Sequence, residues 1–331
     1  MRASWEVLGA RARGLATHLL AGEGLRGVER ASTLAELAHA LRDTPYARFL
    51  GPPDAGPAAL ELAIARSVAE RMRLLARWAA PDAEALHPIF VGQDARNVRD
   101  IARGIVGALT PVQRIASAMP TPSLGRKELE VLARADSVGA VAAALVGWRH
   151  PLGSALLEEA SQAHPDPYRL EAALARCAAD EAAKAARRGG SRMRSFVSED
   201  IDARNAVTAV LLAGARTEGD AADFFVEGGS SLSVDDFVRA ASAPDRAAAA
   251  ELLTQAAAGT VLAAPLRERP ASPAALSARI LSARIDELVR RGRQEPLSAV
   301  PVLLFVLRLR REARLVRRAI WGAALAGGRG P

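Results

Sequence analysis

One stretch of the chain is written three times, and this constrains the fold more than anything else in it. DARNVRDIARG begins at Asp94 and DARNAVTAVLLAG at Asp202. A worn copy, EARLVRRAIWG, begins at Glu312, so the spacing is about 110 residues each time. In the first copy Val98, Ile101, Ile105 and Leu109 recur at helical spacing, which predicts a helix with one apolar face. Asp94 and Asn97 lie three apart and share a neighbouring face. Asp202 and Asn205 repeat the pair beside Ala206, Val210 and Ala213. An Asn beside an apolar stripe is costly unless its amide is bonded. The pattern therefore predicts a bond to a facing helix end or loop backbone, fixing how successive units dock. Contact with a partner is the alternative. Leu315 stands where the third copy would have its Asn, so that bond is not required in every unit.

Other helices recur in the same rhythm. Three long ones open on proline: Pro57, Pro167 behind Asp166, and Pro273 behind Ser272. A capping side chain followed by Pro in the first turn is a strong start signal. Gly189 and Gly292 are read as C-terminal stops. Three shorter helices precede them. Thr33 with Glu36 and Ser233 with Asp236 offer capping boxes, and Ser137 caps without an acidic partner. The order is short helix, long helix, signature helix. WEVLGARARGLATHLLAG sits alone before the first unit. Segments 125–136 and 245–262 read only as generic helix.

Composition agrees with helices throughout. Half of the residues are apolar, much of that alanine, and aromatics are only 4%. The expected fold is all-α, with three pseudo-repeats of about 110 residues in a funnel-like pseudo-threefold arrangement. The units are 1–110 with the N-terminal helix, 111–220 and 221–331. Gly107, Ala213 and Gly214 are expected to let helices approach closely.

The net charge of +7, mostly Arg, favours an acidic partner, a lipid headgroup surface or nucleic acid. Nucleic acid fits poorly. The arginines are scattered over all units, and the stacking aromatics of single-strand binders are missing. Arg308, Arg310, Arg311, Arg314, Arg317 and Arg318 crowd the last helix, mostly off its apolar stripe of Val302, Val306, Leu309, Ala313, Val316 and Ile320. They read as a solvated face, or as a contact for acidic partner loops or lipid headgroups. Cys177 is the only cysteine and reads as a small buried residue on a helix. The longest apolar run, Leu297–Leu307, is broken by Ser298 and Pro301 and falls short of the roughly 20 residues of a membrane span. Arginines interrupt the opening stretch, so no signal peptide is expected and a soluble or peripheral protein is.

Catalytic patterns are missing from the sequence. It contains no GxxxxGK[ST], HExxH or GxSxG. His18, His39, His87, His150 and His164 are scattered, and the last three lie near prolines, where they read as solvated turn residues. No catalytic residue, cofactor or metal is assigned.

Taken in order, several stretches resemble the C subunit of V-type and A-type ATPases and ATP synthases, equivalent to the d subunit of the eukaryotic V-ATPase. They are LGARARGLATHLL, STLAELAHALRDTPYA, DARNVRDIARGIVG, EDIDARNAVTAVLLAG, DFFVEGGSSLSVDDFVRAA and PLSAVPVLLFVLRLRREARLVRRAIWG. The resemblance implies an all-helical funnel of three similar units on the cytoplasmic side of the membrane, attached peripherally. It implies a non-catalytic central-stalk socket that couples shaft subunits of the D/F type to the proteolipid ring, for proton or sodium transport. It implies no nucleic acid and no small-molecule substrate. Asp94, Asn97, Asp202, Asn205, Glu312, Arg314, Arg317 and Arg318 are the candidate repeat-docking or partner contacts. Family members commonly carry Asn where this chain has Leu315, and more aromatics. The alternative is a free-standing helical scaffold for protein–protein interaction.

Overall fold

The computed structural model describes residues 5–52, 56–79, 83–115, 118–161, 166–215, 220–269 and 271–327. Among these are sixteen α-helices and no strand. The first five are α1 (Trp5–Ala16), α2 (Gly22–Arg30), α3 (Leu34–Ala40), α4 (Pro57–Ala79) and α5 (His87–Val106). Then come α6 (Pro111–Ile115), α7 (Arg126–Ala133), α8 (Val138–Gly147), α9 (Leu152–Ala160), α10 (Pro167–Ala186) and α11 (Ser191–Leu212). The last are α12 (Val234–Ala241), α13 (Arg246–Ala256), α14 (Ala263–Arg267), α15 (Pro273–Gln294) and α16 (Val300–Gly327).

The helices start where their caps dictate. Asp166 accepts the Tyr168 amide at α10, and Ser272 accepts the Ala275 amide at α15. Ser233 and Asp236 close a full capping box at α12. At α3 the box is offset: Thr33 accepts the Glu36 amide, while Glu36 takes the amide and hydroxyl of Ser32. Gly292 does not stop α15, which runs two residues further to Gln294. A mid-helix Gly costs only about 1 kcal/mol. Against that, the Glu295 amide still bonds the Arg291 carbonyl at 2.8 Å, and Glu295 pairs with Arg192.

The segments that read as generic helix are α7 and α13, so a long helix is preceded by more than one short helix in each stretch. The closest approach is at neither Gly107 nor Gly214. A Cβ on Gly107 would meet only its own helix's Arg103 carbonyl. One on Gly153 would lie 2.6 Å from the Val146 amide, so glycine is what lets α9 lie against α8. Gly214 has φ +74 and makes a turn, and a Cβ there would also come within 3.0 Å of the Pro244 carbonyl oxygen.

Signature helices join successive stretches. α5 packs against the long helix α10 and against α7 and α8; α11 packs against the long helix α15 and against α12 and α13. α16 packs against the long helix α4 and against α2 and α3, returning to the start of the chain. α1 lies on α16 and α4. One large core runs from α1 to α11 and takes in α16 and the second half of α15, and a smaller one lies among α11 to α14 and the start of α15. Phe305, Leu309, Val316 and Ile320 of α16 are each at most 1% exposed. Such burial stabilises by roughly 1.5–3 kcal/mol per side chain.

Candidate functional site

The acids of the signature helices are buried, and each holds a loop. On α5, Asp94 accepts from the Thr121 hydroxyl at 2.5 Å and from the Ser123 hydroxyl. Asn97 bonds one backbone unit twice: its Nδ2 donates to the Met119 carbonyl at 2.7 Å, and the Met119 amide donates to its Oδ1 at 3.0 Å. On α11 the same device recurs. Asn205 Nδ2 donates to the Val226 carbonyl at 2.8 Å, and the Val226 amide donates back at 3.0 Å. Asp202 accepts the amides of Ser230, Ser231 and Leu232 at 2.9, 2.9 and 3.2 Å. A loop can present three successive amides to one carboxylate only if its backbone comes very close. A Cβ at Gly229 would stand 2.1 Å from Asp202 Oδ1, and Gly228 has φ +100, which explains the glycine pair of VEGGSS.

On α16 the clasp is built from other parts and closes on the far end of the sequence. Glu312 accepts from the Leu20 amide, from the Tyr46 hydroxyl at 2.6 Å and from Arg71 Nη1 at 2.8 Å. The Arg71 guanidinium lies over the Tyr46 ring, 4.9 Å from its centre. Burial, then the Glu312 charge, push the Tyr46 hydroxyl well above its ordinary pKa, so it remains a donor. Leu315, where the Asn would be, is half-buried and packs against the core. The three clasped segments occupy the same place in the chain. Leu124, Leu232 and Leu20 each stand two residues before a short helix: α7, α12 and α2.

His150 is not a solvated turn residue. It is buried, and its Nε2 lies 3.4 Å from Asp94 Oδ2. His87 opens α5, and His164 lies outside the described residues. Cys177 is half-buried on α10, with its thiol donating to the Pro151 carbonyl at 3.3 Å.

Residues 8–326 match the family described as ATP synthase (C/AC39) subunit. The chain belongs to that family. It is also 24% identical over 320 residues to the C subunit of the A-type ATP synthase of Haloferax volcanii, an alignment that covers 94% of this chain and 91% of that protein. No helix among the described residues of this C/AC39 chain is long and apolar enough to cross a membrane.

The arginines of α16 divide by direction. Arg318 is exposed, with no carboxylate within 4.0 Å among the described residues. Arg317 Nε approaches Glu61 at 3.5 Å without a hydrogen bond, and Arg314 reaches only the Ser277 hydroxyl at 3.2 Å. Arg310, Arg314 and Arg317 line a cavity of about 140 Å³ with Arg96 of α5. Its other walls are apolar, among them Phe90, Met119 and Leu309. Near it lies Asp200 of α11, which accepts from Arg284 Nη1 at 2.5 Å and has Arg310 Nη1 at 3.9 Å. Burial alone would raise the Asp200 pKa, but Arg284 and Arg310 outweigh it and hold the carboxyl well below the usual range. Its side chain is nonetheless 51% exposed.

Proposed function

We propose that this C/AC39 chain is a non-catalytic coupling subunit of a rotary ATPase, seated between the central shaft and the proteolipid ring at the cytoplasmic face of the membrane. In this reading it carries torque between head and ring during proton or sodium transport. The observation that carries it is the family match over residues 8–326. A relative aligned over nearly its whole length is named as the C subunit of an A-type ATP synthase, which favours membership of such a complex.

The packing supports a matching mechanical picture. Three units, nominally 1–110, 111–220 and 221–331, are each closed by a signature helix that grips the unit after it. The third, α16, grips the first through Glu312. A closed ring of helices has no free end at which to unwind, and its packed interior resists compression. Both properties suit a socket under torque. Asp94, Asn97, Asp202, Asn205 and Glu312 act as docking residues between units, and Arg314, Arg317 and Arg318 remain for partners.

Affinity purification of the tagged chain from membranes of its own host, in mild detergent, tests this. Shaft, head and proteolipid subunits should co-purify near stoichiometrically. Elution alone, with nucleic acid or with unrelated proteins would overturn it.

A further inference from the structure

The signature helices share a position ten residues after the clasping acid: Gly104 on α5, Leu212 on α11 and Gly322 on α16. In the first two units the chain itself covers that position. A Cβ on Gly104 would lie 2.7 Å from Arg114 Cγ, so the glycine is a notch through which the Arg114 side chain of α6 runs. Arg114 goes on to the end of α7, where its Nη1 donates to the Ala133 and Ala135 carbonyls at 3.2 and 2.8 Å. On α11, Leu212 is buried, and two residues beyond it the Gly214 amide donates to the Ala243 carbonyl at 3.1 Å. Ala135 follows Leu124 by the same eleven residues as Ala243 follows Leu232, and as Ala31 follows Leu20. By that register the third pair is Gly322 and Ala31, and neither is covered. A Cβ on Gly322 would meet nothing within 4 Å, and no described residue donates to the Ala31 carbonyl.

The surroundings of the open notch state what would fill it. Trp321 is 46% exposed and Leu325 68%. Arg311, Arg318, Gly322 and Leu325 recur at helical spacing, so they share one face, with Trp321 at its edge. Both arginines are exposed, and neither has a carboxylate within 4.0 Å among the described residues. One turn before the notch the first unit has an acid, Asp100, and its plug is a cation, Arg114. The third unit has Arg318 at that place, which calls for a plug of the opposite sign. We propose that the end of α16 is a docking face for a segment of a partner protein in which an apolar side chain is flanked by carboxylates. The apolar side chain fills the notch at Gly322 beside Trp321 and Leu325. The carboxylates pair with Arg318 and Arg311, whose planar groups bind them bidentately. A bilayer surface offers anionic headgroups but no side chain to fill a notch. This face lies beyond Arg317, the last residue of α16 in the arginine-lined cavity, and the proposal does not rest on the coupling role.

Fluorescence anisotropy with the full chain tests this. The probe is a short fluorescein-labelled peptide of Glu, Leu and Gly, with Gln-for-Glu and Ser-for-Leu counterparts. It is titrated against wild type, Gly322→Leu and Arg318→Glu, and against two controls on other surfaces, Leu297→Ser and Arg246→Glu. Melting curves check that each variant is folded. Gly322→Leu should melt no lower than wild type, because the notch is open. A lower melting temperature would mean that the chain fills the notch itself, and the proposal fails. Wild type and both controls should bind the Glu and Leu peptide saturably and alike. Gly322→Leu and Arg318→Glu should each weaken it about tenfold or more, and the Gln and Ser peptides should bind wild type as weakly as that. Absence of saturable binding to wild type, equal loss in the controls, or an unchanged Gly322→Leu or Arg318→Glu overturns the docking face. Co-sedimentation with phosphatidylglycerol vesicles is the lipid arm. If Arg318→Glu abolishes vesicle binding, Gly322→Leu leaves it intact and the peptide does not bind, the face belongs to a membrane and the proposal is wrong.

Discussion

Replacing Glu312 with Gln changes one buried atom pair and leaves the shape alone. Glu312 is 7% exposed and Arg71 4%. Gln retains a carbonyl oxygen that can still accept from Leu20 or Tyr46, so the loss falls chiefly on Arg71. Its guanidinium would keep its charge with no carboxylate beside it, and its Nη2 already has no hydrogen-bond partner. Removing one member of a buried ion pair costs about 3–5 kcal/mol. The retained acceptor puts Glu312→Gln at the low end, about 3 kcal/mol. Urea unfolding followed by far-UV circular dichroism reads this directly. The second half of the test removes the stranded cation. Arg71→Met added to Glu312→Gln should recover more than half of the loss, because a buried pair replaced by apolar groups is often neutral. A loss below about 1 kcal/mol would refute the claim that this ion pair closes the molecule. So would a double variant that falls by the sum of the two singles.

Three further perturbations probe the other clasps. Asn205→Ala leaves the Val226 amide and carbonyl unbonded, and should cost about 2 kcal/mol or more in urea unfolding. A loss under half of that would mean water replaces the amide. Gly229→Ala drives a Cβ onto Asp202 Oδ1 and should release the three amides that carboxylate holds. Hydrogen exchange at Ser230, Ser231 and Leu232 should speed up while α5 is unaffected; unchanged exchange would count against the nest. Arg284 and Arg310 depress the Asp200 pKa, so its stabilisation is complete above the unfolded value near 4 and is lost only as pH falls through the lower folded value. Wild type and Asp200→Asn should therefore lose stability in parallel from pH 7 to 5, with their difference shrinking below about pH 4. A difference that shrinks between pH 7 and 5 would reverse the sign of the shift.

Much of the fold was legible because it depends on local signals. Pro167 behind Asp166 and Pro273 behind Ser272 start helices through contacts two or three residues away, and the structure places both starts there. The buried faces of α5 and α11 follow from a 3.6-residue period, through Val98 and Ile101 on α5, but Leu109 lies past the end of α5 and is exposed. Gly292 misled because a glycine's small local cost is outweighed by bonds that lie beyond it. The site divides along the same line. Asp94, Asn97, Asp202, Asn205 and Glu312 announced themselves by repetition. Tyr46 and Arg71 did not, because they meet Glu312 across 266 and 241 residues and repeat nowhere. His150 was misread for the same reason: its neighbour Pro151 is visible in sequence and its partner Asp94 is not.

The three clasps are alike in form and unlike in topology. Asn97 and Met119 are 22 residues apart, and Asn205 and Val226 are 21 apart, but Glu312 and Leu20 are separated by 292. By loop-closure entropy the long one costs about 2 kcal/mol more to form. It is also the one built with a buried charge pair. Two links join neighbouring stretches of the chain, and the third is a latch that joins its two ends, within a core that already packs α16 on α1 and α4. Distant contacts are the slow ones to form, which places the latch among the slow contacts of this chain. It is also where α16 is tied to the first helices of the chain by a buried charge.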